Sequence, residues 1–184
     1  MRSRSESLEF ALLGLLSQGP LHGYELRKRM ISIYGPFRAL SFSVLYPQLH
    51  RMLDAGLIQE NVAEGTGRRS RIVYAITTKG QSRFEAISAS SGPDSWEDES
   101  FEVRFAFFGP TPADKRLAIL EGRHRKLAEK ATILRTDLEK VAADSSGLEG
   151  IDKYLVEWRR HSLDSAQREI AWLEEMINTE RKSS

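Results

Sequence analysis

The chain has no cysteine among its 184 residues. That excludes disulfides, zinc-thiolate centres and thiol nucleophiles, and it suits a reducing compartment. Long apolar runs are missing too: nothing approaches the roughly 18 to 20 apolar residues that a membrane-spanning helix requires. The block LEFALLGLL, Leu8 to Leu16, follows Arg2 and Arg4 as in a secretion signal. Yet Glu6 and Glu9 stand at its entry and no small-x-small cleavage site follows. The expectation is a cytoplasmic, unprocessed chain that does not engage a membrane. Histidine is sparse: His22, His50, His124 and His161 form no H-x-x-x-H pair, so no metal site is expected. G-x-S-x-G and G-x-x-x-x-G-K-[ST] are absent, and the lone G-x-G at Gly65 to Gly67 opens no helix after a strand. No nucleophile-base set converges, so neither an enzyme nor a cofactor is expected.

What is present is an ordinary globular composition, 40% hydrophobic, with an uneven distribution of charge. Residues 1–90 hold 12 Lys/Arg against 7 Asp/Glu, whereas residues 91–184 hold 15 against 19. The front is basic and the back is acidic, the pattern of a polyanion-binding part joined to a protein-binding part.

Periodicity divides the chain similarly. Leu8, Leu12, Leu15 and Leu16 predict a helix over about 7–16, ended by Gly19-Pro20. Leu26, Met30 and Ile33 predict a second over about 22–33, ended by Gly35-Pro36 and leaving Arg27 and Lys28 to solvent. Leu45, Leu49, Met52 and Leu53 predict a third that carries Pro47 in its opening turns and closes on a left-handed Gly56. The period then falls to two. Strands are expected over about 57–62 and 71–76, separated by Glu64-Gly65-Thr66-Gly67 and a basic tip of Arg68, Arg69 and Arg71. A capping box at Thr78 to Gln81 starts a fourth helix, and SASSGPDS, Ser88 to Ser95, is the expected linker. The back half is helical. A short helix over about 96–108 carries Phe101, Phe105 and Phe108. Thr111 is expected to cap the next helix, where Leu117, Leu120, His124, Leu127, Ala131, Leu134, Leu138 and Val141 form a heptad seam. A last helix over about 151–177 aligns Leu155, Trp158, Ala166, Ile170, Leu173 and Ile177. The fold class is therefore mainly α with a small β-hairpin: an N-terminal winged helix-turn-helix domain, 1–90, and a C-terminal antiparallel helical dimerisation domain, 91–184.

In a winged helix-turn-helix plan the third helix enters the major groove and the hairpin reaches the adjacent backbone. The inward stripe of helix three leaves Ser41, Ser43, Tyr46, Pro47, His50 and Arg51 on the outer side, with Arg27 and Lys28 on helix two and Arg68, Arg69 and Arg71 on the hairpin. These are the candidate DNA-binding residues. Tyr46 could equally pack on Leu26, Ser43 could simply cap the helix, and the arginines could be a solvated edge. A protein-protein adaptor is the competing reading, and it has no need for three arginines behind a Gly-rich tip. The candidate dimer interface is Phe101, Phe105, Phe108, Leu120, Leu127, Leu134, Leu138, Leu155, Trp158, Ile170, Leu173 and Ile177, because so many apolar positions are hard to bury in about 90 helical residues without a second chain.

Three segments, LEFALLGLLSQGPLHGYELRKRM (Leu8 to Met30), SVLYPQLHRMLDAGLI (Ser43 to Ile58) and VYAITTKGQSRF (Val73 to Phe84), resemble the PadR family of bacterial transcriptional regulators. The triplet Leu45 to Pro47 and the run Pro20 to Leu26 are its most specific pieces. Phe101 to Arg123 looks like the C-terminal helical domain of the longer PadR subfamily. The resemblance departs at Phe42-Ser43-Val44, where many members have glycine followed by threonine or serine. It implies a homodimeric repressor on a double-stranded operator with two-fold symmetry, C-terminal helices exchanged between subunits, and release by a small aromatic effector.

Overall fold

The computed structural model describes residues 2–35, 42–63, 71–143 and 151–183. Its elements are α1 (Arg2–Leu16), β1 (Leu21–His22), α2 (Gly23–Tyr34), α3 (Phe42–Asp54), β2 (Ile58–Ala63), β3 (Arg71–Ile76), α4 (Thr78–Ser88), a 3-10 turn (Pro93–Trp96), α5 (Asp98–Ala106), α6 (Ala113–Ala143) and α7 (Ile151–Ser183). By contact the chain divides into two compact units, residues 1–115 and 116–184.

In the first unit α1 is the hub. Phe10, Ala11, Leu12 and Leu13 are buried alongside the expected Leu8, Leu15 and Leu16, so the helix is apolar on nearly every side and is surrounded rather than laid on a surface. It starts earlier than its apolar stripe, at Arg2. Leu26, Met30, Leu45, Leu49 and Met52 close over it from α2 and α3. A Phe10–Phe84 stack at 5.1 Å and edge contacts of Phe107 with both rings add α4 and the turn after α5 to this core. Gly14 makes the space, since a Cβ there would stand 2.5 Å from the Phe107 ring. Val103 and Phe107 thus tie the region of α5 into the first unit, which also contains the Ser88 to Ser95 stretch.

The end of α3 follows from its sequence. Gly56 has φ 66°, Leu57 N–H donates to the Met52 carbonyl and Gly56 N–H to that of Leu53, which is a Schellman closure with Leu57 and Met52 both buried. The start of α4 departs from expectation. Its N-cap is Thr77, not Thr78: the Thr77 hydroxyl accepts from Gly80 N–H at 3.1 Å and donates to the Gly56 carbonyl at 2.8 Å. One hydroxyl thereby serves two helix ends, an arrangement Thr78 one residue later does not make. The Thr111 hydroxyl, just before α6, donates to the Phe107 carbonyl at 2.9 Å.

The sheet has three strands in the order β1-β3-β2, all antiparallel. The hairpin β2–β3 is as expected, with Ile58 opposite Ile76 and Ala63 opposite Arg71. The addition is β1, whose Leu21 and His22 pair with Tyr74 and Val73. It fastens the entry of α2 to the sheet.

In the second unit α6 and α7 run antiparallel, joined by Arg116–Glu180, Arg123–Glu169, His124–Glu174 and Arg181–Glu121. Leu120, Leu127, Ala131, Ala166, Leu173 and Ile177 are buried, so this part of the seam is covered within one chain rather than awaiting a second. The reason is that α7 supplies a partner helix to α6. Phe101 and Phe108 are likewise buried, Phe105, Leu134, Leu138 and Ile170 are half-buried, and only Leu155 and Trp158 of the expected interface stand exposed. Among the described residues no helix is long and apolar enough to cross a membrane.

Candidate nucleic-acid interface

α3 sorts its residues by face. Leu45, Gln48, Leu49 and Met52 are buried, while Val44, Tyr46, Pro47, His50 and Arg51 are exposed. Spacings of three and four place the first set on one stripe, and the second set is what remains. Pro47 falls in the second turn of a helix that begins at Phe42, within the opening turns as expected. Lacking an N–H, it gives no hydrogen bond to the Ser43 carbonyl four residues earlier. Ser41 and the side chain of Ser43 lie outside the described residues.

Tyr46 is 37% exposed, and its hydroxyl lies over Gly23, the first residue of α2. A Cβ on Gly23 would stand 3.2 Å from that oxygen and 3.6 Å from the ring of Tyr74. Tyr46 is therefore turned partly back toward α2 and β3 and presents only part of its ring outward. Burial pushes the Tyr74 phenol up to about 12, and Glu60 and Tyr46 add to the effect. On α2, Arg29 Nε donates to Glu25 at 2.9 Å and holds that carboxyl below its usual range, against the opposing effect of burial; the charges of Lys28 and Arg29 assist. Lys28 is exposed and Arg27 half-buried. Beside α3, the β2–β3 hairpin carries Arg71 at the start of β3. Arg68, Arg69 and the Arg71 side chain lie outside the described residues. What the structure brings together is Tyr46, Pro47, His50 and Arg51 on one exposed helix face.

Residues 12–86 match the Transcriptional regulator PadR-like family. The chain carries a PadR-like domain. The match runs from α1 through α4, the helices and hairpin just described. Over 177 residues, 92% of this chain and 95% of the relative, it is 24% identical to the negative transcriptional regulator PadR of Bacillus subtilis (strain 168). Among solved structures it is similar to Bacillus subtilis PadR in complex with operator DNA, at 23% identity and TM-score 0.43, covering 94% of this chain and 98% of that one. It is also similar to Bacillus subtilis PadR in complex with p-coumaric acid, at 22% identity and TM-score 0.41, covering 96% and 97%.

The first unit also holds a cavity of about 250 Å³ between α1, α4 and α5. Phe10, Ile87 and Val103 give it an apolar wall, and its charged groups are Arg83 and Arg104 with Glu6 and Asp94. The Arg104 guanidinium lies 5.6 Å from the centre of the Phe10 ring and donates to the carbonyls of Ile87 and Ser90. Burial lowers its pKa, with Asp94 opposing. Ser7 and Ser100 share a buried hydroxyl contact at 3.2 Å on the same wall. None of these residues belongs to the expected DNA-binding set. The signal that could have found them is Arg104 at helical spacing among the phenylalanines of α5.

Proposed function

We propose that this chain is a cytoplasmic, homodimeric transcriptional repressor that binds a double-stranded operator with inverted-repeat symmetry. In this reading residues 1–90 engage DNA and residues 91–184 pair the subunits. The observation that carries it is the exposed polar face of α3, Tyr46, Pro47, His50 and Arg51, on a helix whose other side is anchored by Leu45, Leu49 and Met52. A helix so presented fits the major groove, and the hairpin beside it would bring Arg68, Arg69 and Arg71 to the phosphates. Arg27 and Lys28 of α2, with Ser41 and Ser43 at the start of α3, would hold the adjacent backbone. The Bacillus subtilis relative is named a negative regulator, the direction of control proposed here.

Dimerisation would rest on Leu155 and Trp158, 44% and 65% exposed, with Tyr154 beside them at 77%. Exposed apolar groups clustered along one helix mark an interaction site, and a second copy would present the same surface. Release of DNA would follow binding of a small aromatic acid in the α1–α4–α5 cavity. Its volume of about 250 Å³ lies just below the roughly 300 to 1,000 Å³ of pockets for drug-sized ligands, so it suits a single ring. Arg104 would face the carboxylate and Phe10 the ring.

The test is footprinting on the DNA flanking the chain's own gene, with and without single-ring aromatic acids. Two protected half-sites about one helical turn apart, relieved by an acid, are expected. Uniform, unprotected cleavage would overturn the reading.

A further inference from the structure

We infer that Gln48 is a positioning residue for sequence readout: it fixes the guanidinium of Arg51 in one orientation on the outer face of α3. The inference rests on the DNA-binding reading and names a determinant that reading does not contain.

Gln48 is 2% exposed, sharing the inward stripe with Leu45, Leu49 and Met52. A buried amide oxygen must find donors. Gln48 Oε1 has two: the Ser5 hydroxyl of α1 at 3.2 Å and Arg51 Nη2 at 2.7 Å. The first anchors the amide across 43 residues of sequence to another helix. The second reaches out three residues along α3 to a side chain that is itself exposed. Gln48 thus links the fixed interior to a cation on the surface.

The chemistry of arginine gives this link its consequence. A solvent-exposed arginine samples many rotamers, while its planar fork reads a guanine O6/N7 edge only in one orientation. A charge-assisted bond to a buried acceptor selects one orientation before DNA arrives. It uses one N–H of a five-donor group, and four remain for a base edge or phosphate. Without the acceptor, Arg51 keeps its charge and its attraction to phosphate. It loses the preset angle that separates one base from another.

The two terms separate experimentally. An optimal duplex is first selected from a randomised library with the wild-type dimer, and affinities for it and for scrambled duplex are measured at several salt concentrations. Gln48→Met keeps side-chain length and removes the acceptor. It should lower the ratio of specific to scrambled affinity by at least about fivefold, the small end of one bidentate contact, with the salt slope unchanged. Gln48→Glu keeps the acceptor and should retain the ratio more fully than Gln48→Met. In an Arg51→Ala background, Gln48→Met should produce no further loss. An equal loss with and without Arg51, or an unchanged ratio in Gln48→Met, overturns the inference. If Gln48→Met does not fold by circular dichroism, Ser5→Ala carries the same comparison, because it frees the amide from its anchor. A wild-type protein that selects no duplex would sink the DNA-binding reading itself, a result distinct from a selective wild type with an indifferent Gln48.

Discussion

The Tyr46 hydroxyl lies over Gly23 so closely that a Cβ at that glycine would stand 3.2 Å from it. Gly23 is thus what allows the outer face of α3 to close onto the start of α2. In Gly23→Ala the tyrosine must yield by a few tenths of an ångström. Gly23 is the first helical residue of α2, where alanine's advantage over glycine is smaller than the roughly 1 kcal/mol of helix interiors. The expected outcome is weakened specific DNA binding with a urea midpoint equal to or above that of wild type, measured on the same preparation.

Tyr74 gives a pH signature. Its folded pKa, raised to about 12 from 10.0, is that of a phenol kept neutral by burial. The folded state holds the proton more tightly than the unfolded state between those values. Its contribution to stability is therefore complete below pH 10 and is lost as pH rises through 12. Urea melts across pH 9 to 12 should show wild type losing stability faster than Tyr74→Phe. Parallel curves would contradict the assignment.

The helices of the second unit separate chain stability from association. Leu173 is fully buried, and Leu173→Ala should cost about 2 to 5 kcal/mol in denaturant melts. Leu155 and Trp158 are exposed, so Leu155→Asp with Trp158→Asp should leave the secondary structure intact and shift sedimentation toward the monomer. An unshifted dimer would move the proposed interface elsewhere.

These distinctions show how far the sequence could be read. The stripes of α2 and α3 and the switch to period two at β2 and β3 were legible because burial on one face imposes a period. β1 was not, since a strand of two residues has no period to display. The heptad seam of α6 correctly demanded a partner, but a seam does not say whose helix supplies it, and α7 of the same chain does for Leu120 and Leu127. The outward set on α3 followed from the inward one, though Gln48 stood in neither. Gln48 lies three residues after Leu45 and four before Met52, so its spacing placed it inside all along.

Salt dependence of duplex binding tests the central claim most directly. If two subunits neutralise about 6 to 10 phosphates, affinity should fall about 10³ to 10⁵ between 50 and 200 mM salt. Arg68→Ala and Arg69→Ala should each flatten that slope and leave the preferred sequence unchanged. Binding that ignores salt, or a slope that neither substitution alters, would contradict a cationic face matched to the DNA backbone.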